Sequence, residues 1–321
     1  MFDLSDKKIT LIGGGTGNSV LLKSLKEIGP DISVIVSVGD DGGSSGVIRR
    51  DFGTIPPGDI RNCLVALSEE DSLTAKLMDK RFTQGFLKKQ NLGNIILTAL
   101  YELTGSYKQA IKEISRIMAC RGSVIPVTEE FVNLKATYKD GKSVTGESAL
   151  ASYALRHKTA IDKISLIPEN AKLNGDCIKA VIEADLIIFS PGSLYTSLIP
   201  NLAVEGLCEA IEKSCARKVY LPNIMSEPGE TDGYKTSDLL DALERHSGGY
   251  NIVDTVLYST SVIPGEIIDR YRKKKADIIK PYFTDEQRKR YCLIAGDIAL
   301  ITEGVVRHNG QAIFKILEEK L

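Results

Sequence analysis

The chain has 321 residues, 43% hydrophobic and 26% charged, the balance of a globular fold with a sizeable core. Forty-one Lys and Arg stand against 42 Asp and Glu for a net charge of −1, which excludes attachment to nucleic acid or anionic lipid by bulk electrostatics and leaves only local patches. The opening MFDLSDKKITLIGGG has too short an apolar run for a signal peptide or a membrane span, so no membrane span and a cytoplasmic location are expected.

In chain order, KKITLIGGG reads as a buried strand entering a glycine turn, and SVLLKSLKEIG as a helix closed by Gly29-Pro30. DISVIVSV is a continuous β-branched run, the mark of a strand covered on both faces of a parallel sheet. From Gly58 to about Ala119 the pattern is helical, with no strand expected. VNLKATYKDGKSVTGE alternates around Asp140-Gly141 and predicts a hairpin. Alternation then resumes: helix DCIKAVIEA, strand DLIIF, helix LAVEGLCEAIEKSC, strand KVYLPNIM, helix TSDLLDALERHSG, strand DTVLYST, helix PGEIIDRYRKKKA. The expectation is one doubly wound, mostly parallel α/β domain over 1–321, with a helical insert near 58–120 and a hairpin insert near 131–148. Six cysteines without a CxxC pair, and three histidines, point away from disulfides and zinc. Cys208 and Cys215 are expected on one helix face.

Ligands of open parallel sheets bind beyond the carboxyl ends of the strands, so the residues just after each strand are informative. The first such turn, GGGTGNS, has glycines for close approach, donors in Thr16, Asn18 and Ser19, and a following helix N-terminus, a combination suited to phosphate. It matches neither the Walker pattern nor GxGxxG. The second turn, SVGDDGGSSGVIRR, places Asp40 and Asp41 beside Ser44, Ser45, Arg49 and Arg50. The adjacent acids are open to three readings: solvated charges, a cation site, or acceptors for ligand hydroxyls. Asp59 in PPGD is placed to cap the helix carrying Arg61 and Asn62. The third turn, FSPGSLYTS, offers Ser190, Gly192, Ser193 and Thr196, with Tyr195 as a face for a base or sugar. The fourth, NIMSEPGETDGY, brings Glu227, Glu230 and Asp232. Together the turns suit a nucleotide-type ligand crossing the top of the sheet.

GGGTGNSVLLKSLKE, VSVGDDGGSSGVIRRDFGTIPPGDIRNCLVAL, NLGNIILTAL, ADLIIFSPGSLYTSLIPNL and NIMSEPGETDGY resemble the YvcK-type gluconeogenesis factor family, within the wider CofD-like group. The resemblance implies a Rossmann-like CofD fold and a bacterial cytosolic protein needed for cell shape during growth on gluconeogenic carbon. It also implies binding of UDP-sugars such as UDP-N-acetylglucosamine. The transferase branch makes a coenzyme F420 precursor from a nucleotide-activated phospholactate and a deazaflavin acceptor, with Mg²⁺. This chain has the regulator branch's continuation and lacks a recognisable acceptor pattern. Carried over by motif, Gly14, Gly15, Thr16, Gly17 and Asn18 would hold phosphate. Asp40 and Asp41 would face the sugar or reactive end, acting as catalytic groups and Mg²⁺ ligands if the protein is an enzyme. Asn94 would line the pocket, Ser190, Gly192 and Ser193 would close it, and Tyr271 and Arg307 would stack on the base and pair with phosphate. The expected partner is a nucleotide ligand, with no nucleic acid; a homo-oligomer is compatible with this reading. Gly17→Val is expected to abolish binding with the fold intact.

Overall fold

A computed structural model describes residues 2–69 and 71–321. Strand β1 (Lys8–Gly13) is buried at every position but the first. It leads into α1 (Gly15–Ile28), which Gly29 ends in the left-handed conformation (φ 95°) that glycine adopts without strain. Strand β2 (Asp31–Val36) pairs parallel to β1 in register, Ile9 opposite Ile32 and Gly13 opposite Val36. Helix α2 (Gly43–Phe52) follows at once. The stretch read as a binding loop is thus a loop only over 37–42, and GSSG forms the first turn of a helix.

Helices α3 (Gly58–Leu67), α4 (Leu73–Asp79), α5 (Leu92–Thr104) and α6 (Tyr107–Ile117) occupy the block read as helical. Between α4 and α5 there is one isolated bridge, Arg81 to Asn91. Asp59 does not cap α3: Pro57 holds the cap position and Asp59 lies in the first turn. Strand β3 (Ser123–Pro126), which was not anticipated, adds parallel to β2 as the sheet's edge.

The hairpin forms as read, β4 (Asn133–Tyr138) against β5 (Ser143–Thr145). It is larger than expected, because α7 (Glu147–His157) and β6 (Ile161–Ile167) complete a three-stranded antiparallel sheet in the order β5-β4-β6. Helix α8 (Gly175–Ile182) and strand β7 (Leu186–Phe189) return the chain to the main sheet. A π-helical turn (Leu194–Leu198) and α9 (Ile199–Leu202) come next. Helix α10 (Leu207–Lys213) and β8 (Arg217–Tyr220) follow, then α11 (Thr236–His246) and β9 (Thr255–Ser259).

The chain ends with α12 (Gly265–Lys273), α13 (Asp285–Arg290), β10 (Cys292–Gly296), the hairpin β11 (Ala299–Thr302) and β12 (Val305–His308), and α14 (Gly310–Lys320). The main sheet has seven parallel strands in the order β10-β9-β8-β7-β1-β2-β3. Its direction of growth reverses between β1 and β7, the switch point where open α/β sheets present ligand crevices. The apolar core is continuous through the sheet, from Leu4 to Leu317.

All six cysteines are free thiols, with Cys63, Cys177 and Cys208 buried, Cys120 half-buried, and Cys215 and Cys292 exposed. Helix α10 ends at Lys213, so Cys215 lies beyond it and shares no helical face with Cys208. Among the described residues no helix is long and apolar enough to cross a membrane.

Candidate functional site

The carboxyl ends of β1, β7 and β8 surround a cavity of about 530 Å³. Its wall includes Gly15, Thr16 and Gly17 from the first turn and Gly192 and Ser193 from the third. Glu227 and Glu230 come from the fourth, and Tyr271 and Arg307 from the C-terminal part. These expected residues, far apart in sequence, meet in one enclosure. Another cavity, of about 460 Å³, lies near the opposite strand ends, but there Lys8 pairs with Glu183 and Lys108 with Asp176, both at 2.7 Å.

The first turn explains its own composition. None of Gly13 to Gly17 takes a positive φ; they are small because other segments press on them. A Cβ at Gly15 would sit 2.6 Å from the Asp59 Cα, and one at Gly17 would overlap the Pro191 carbonyl oxygen. The Gly15 amide donates to the Asp59 carboxylate. The amides of Thr16 and Gly17, in the first turn of α1, have no acceptor within their helix, and these residues line the cavity. Asn18 does not face it. Fully buried, its Oδ1 lies 2.5 Å from Ser190 Oγ, which is also 3.1 Å from the Ile12 carbonyl. Asn18 and Ser190 thus staple the first turn to the third from behind.

The paired aspartates separate. Asp40 accepts the Gly42 amide at 2.8 Å and hydrogen-bonds to Glu147. Asp41 accepts the Ser148 amide at 2.9 Å, in the first turn of α7, so it secures the hairpin unit to the second turn. Among the described residues no three His, Cys, Asp or Glu side chains are grouped to hold a metal ion.

Six further residues expected at the ligand are turned elsewhere by burial and bonding. Arg49 is 2% exposed; its guanidinium donates to the Gly39 carbonyl (3.2 Å), to the Val132 carbonyl and to Asn133 Oδ1 (3.0 Å), and covers the Phe131 ring. Arg61 is paired with Asp79 at 2.9 Å and donates to Asn62, so both turn toward α4. Ser44 donates to Gln90 (2.9 Å) and accepts the Asn91 amide (3.1 Å). Ser45 and Asn94 face each other, Nδ2 to Oγ 3.5 Å, in the interior. None of Arg49, Arg61, Asn62, Ser44, Ser45 or Asn94 lines the cavity.

In the third turn, Ser193 caps the π-helical turn, accepting the Thr196 amide at 3.1 Å, and donates to the Glu230 carboxylate. Gly192 and Asn223 exchange hydrogen bonds, amide to Oδ1 at 3.0 Å and Nδ2 to carbonyl at 2.7 Å. Tyr195 is corrected: it is fully buried, its hydroxyl 2.9 Å from that of Tyr234, and it has no free face for a base. At the other wall, the Val306 amide donates to the Tyr271 hydroxyl at 3.0 Å, which fixes the ring beside the β11–β12 hairpin and Arg307. His308 bonds the Pro222 carbonyl at 3.0 Å.

Sequence reasoning missed Glu147, Asn223 and Ser197 in this wall, and assigned Asp59 only a capping role. Asp59 had a visible signal in PPGD. Glu147 had none, because it reaches the cavity from the hairpin unit, bonding Asp40 in the second turn and Thr196 in the third.

Carboxyls here hold their protons unusually well. Desolvation is the main cause for each: it lifts Asp59 to about 6, Glu230 to about 7 with help from Glu227, and Glu147 to about 8 with repulsion from Asp40 and Asp59. The folded state then keeps protons that the unfolded chain releases, so stability falls as pH rises through these values. His308 is moved down to about 4 by burial and His246 is also lowered; their effect has the opposite sign and is complete above the ordinary imidazole value of 6.5. The melting temperature should therefore fall between pH 6.5 and pH 8, and Glu147→Gln should flatten that fall in calorimetric scans across the range. A rising profile would contradict the assignment.

The family model described as 2-phospho-L-lactate transferase CofD matches residues 9–299. The chain belongs to the CofD family. Among its relatives in that family, the gluconeogenesis factor of Halalkalibacterium halodurans is 41% identical over 323 residues, covering 99% of this chain and 98% of the relative. The gluconeogenesis factor of Bacillus subtilis (strain 168) is 41% identical over 317 residues, covering 98% of each. A crystal structure of a UPF0052 family member from Bacillus halodurans superposes with a TM-score of 0.91 at 39% identity, over 97% of this chain and 99% of that one. The Rossmann-like architecture expected from the resemblance is thus that of the CofD family.

Proposed function

We propose that this chain is a bacterial cytoplasmic regulator that binds a nucleotide-sugar, with UDP-N-acetylglucosamine the expected ligand, and acts in cell morphogenesis during gluconeogenic growth. One observation carries the reading: free amides at an α-helix N-terminus, a carboxylate-rich wall, an anchored tyrosine and an exposed arginine share one cavity. The Thr16 and Gly17 amides and Arg307 suit a diphosphate. The Tyr271 ring suits a base. Glu227 and Glu230 suit sugar hydroxyls, a carboxylate accepting and a protonated carboxyl also donating. The gluconeogenesis-factor names of the relatives above favour a regulator.

Asp40, Glu147 and Asp59 favour a second reading, a CofD-type phosphotransferase using a nucleotide-activated phospholactate. Their oxygens are the donor type Mg²⁺ takes, but the three side chains are not grouped to hold an ion by themselves, so a cation there would need phosphate oxygens of the ligand to complete its shell, and it would relieve the repulsion that raises Glu147 and Asp59. Bound there, Mg²⁺ would neutralise phosphate charge. Asp41, which caps α7, would not belong to that set.

Calorimetric titration with UDP-N-acetylglucosamine, UDP and GDP separates the readings: heat with the uridine ligands is expected, and none would sink the regulator. Nucleotide release with the phospholactate donor, a deazaflavin and Mg²⁺ would instead establish the transferase. Arg307→Ala, at an exposed position, should weaken uridine-ligand binding about tenfold or more by removing a charge-assisted contact, without shifting the melting temperature. Unchanged affinity would place the phosphate elsewhere.

A further inference from the structure

The segment joining α4 to α5 is unlike the rest of the surface. Its sequence, KRFTQGFLKK over residues 80–89, carries four Lys or Arg and no acid, in a protein whose overall charge is −1. Phe86 at its tip is 100% exposed, and Leu73 and Leu77, one turn apart on the adjoining α4, are 73% and 42% exposed. Three large apolar side chains so close together in the chain and this open to water are unusual for a monomeric surface.

The exposure is built in. The Phe82 amide donates to the Gln90 carbonyl and the Lys89 amide to the Phe82 carbonyl, both at 2.9 Å. Lys88 closes the tip on the Gly85 carbonyl at 3.1 Å, and Arg81 donates to the Lys89 carbonyl at 2.8 Å. Leu92 bonds back to Lys80 at 2.8 Å, fixing the base. Phe86 is therefore held outward by an ordered loop. Beside it a shallow groove is lined by Lys23, Lys76, Lys80 and Arg81, whose one acid, Asp79, is engaged by Arg61.

We infer that this loop and the exposed side of α4 form a docking surface for an anionic phospholipid membrane. Phe86, Leu73 and Leu77 would enter the boundary between headgroups and acyl chains, while Lys76, Lys80, Arg81, Lys88 and Lys89 meet lipid phosphate. Exposed apolar side chains flanked in the chain by cations match a layer that is negative outside and hydrocarbon just beneath. Lys76 is the weakest member, since Asp71 lies 3.4 Å from its ammonium. Attachment of this kind is peripheral and needs no spanning helix. It is independent of the nucleotide-sugar reading, because none of these residues lines the candidate site.

The test is co-sedimentation of the full chain with phosphatidylcholine vesicles with and without phosphatidylglycerol. Binding is expected only with the anionic lipid, and high salt should release it. Phe86→Ser, and separately Lys88→Glu with Lys89→Glu, should each reduce partitioning about tenfold or more at an unchanged melting temperature. The chain has no tryptophan, so Phe86→Trp supplies a single tryptophan, excited selectively at about 295 nm, whose emission should shift blue on anionic vesicles alone. Indifference of the wild type to phosphatidylglycerol, or wild-type binding by the variants, would overturn the proposal. So would Phe86-dependent dimers, or a preference for single-stranded RNA over vesicles.

Discussion

Replacing Gly17 with valine should lower the melting temperature by several degrees and disorder the cavity, even without ligand. The sequence alone suggested a milder outcome, loss of binding with the fold preserved, on the view that the glycine leaves room for phosphate. The space is instead filled by the Pro191 carbonyl, which any Cβ at position 17 would overlap. Backbone on both sides cannot yield as a flexible side chain can, so α1 and the third turn must separate. Forced overlap of this kind typically costs about 1–3 kcal/mol and occasionally more. Differential scanning calorimetry of Gly17→Ala, with its single methyl, checks the point: a wild-type transition would show that the two turns are free to part.

The second large effect is expected at Arg49. Arg49→Ala should destabilise by about 3 kcal/mol, because buried carbonyl groups lose a charged donor and have no water to replace it. The guanidinium joins Gly39 of the second turn to Val132 and Asn133 of the hairpin unit, with Phe131 against it at 4.4 Å from the ring centre. Loss of those bonds should loosen β4 and expose the second turn. Hydrogen exchange would show this as faster exchange confined to residues 37–42 and the β4–β6 sheet. Arg49→Lys should not restore protection, since a point ammonium cannot span acceptors that a planar fork reaches together. Full recovery by lysine would mean that charge alone matters there.

Long apolar runs and strong turn chemistry made much of the main sheet legible. KITLIG, DISVIV and LIIF are buried on both faces, and Asp140-Gly141 turns the hairpin. Helix α7 and the elements from α13 to α14 were not read from the sequence, and three further elements escaped for physical reasons. Helix α2 opens on Gly-Ser-Ser-Gly, poor helix formers held by packing against the loop before them. Strand β6 exposes Asp162 and Lys163 in succession, which breaks the alternation expected of a half-buried strand. Strand β3 has only four residues and ends in proline.

At the site, the glycine and serine turns were legible because strand ends concentrate ligand chemistry. What residue type cannot reveal is the direction of a side chain. Asn18, Ser190, Arg49 and Arg61 have the right chemistry for phosphate but are turned to neighbouring elements. Tyr195 is drawn inward by Tyr234. Glu147 enters from a separate sheet and is visible only once the chain is folded.

The short edge strand has a consequence for the protein's behaviour at high concentration. Just past β3 the Val127 amide points inward to the Val36 carbonyl, so by alternation the amide direction at Pro126 is outward, where proline has no hydrogen to offer. That border is also covered there, since Pro126 is buried and its carbonyl accepts the Cys177 thiol of α8 at 3.7 Å, which leaves little template on which a second molecule's strand could grow. The edge is thus closed to a second strand by the cover of α8 together with the missing proline donor, so Pro126→Val alone should leave the protein monodisperse at high concentration in light scattering.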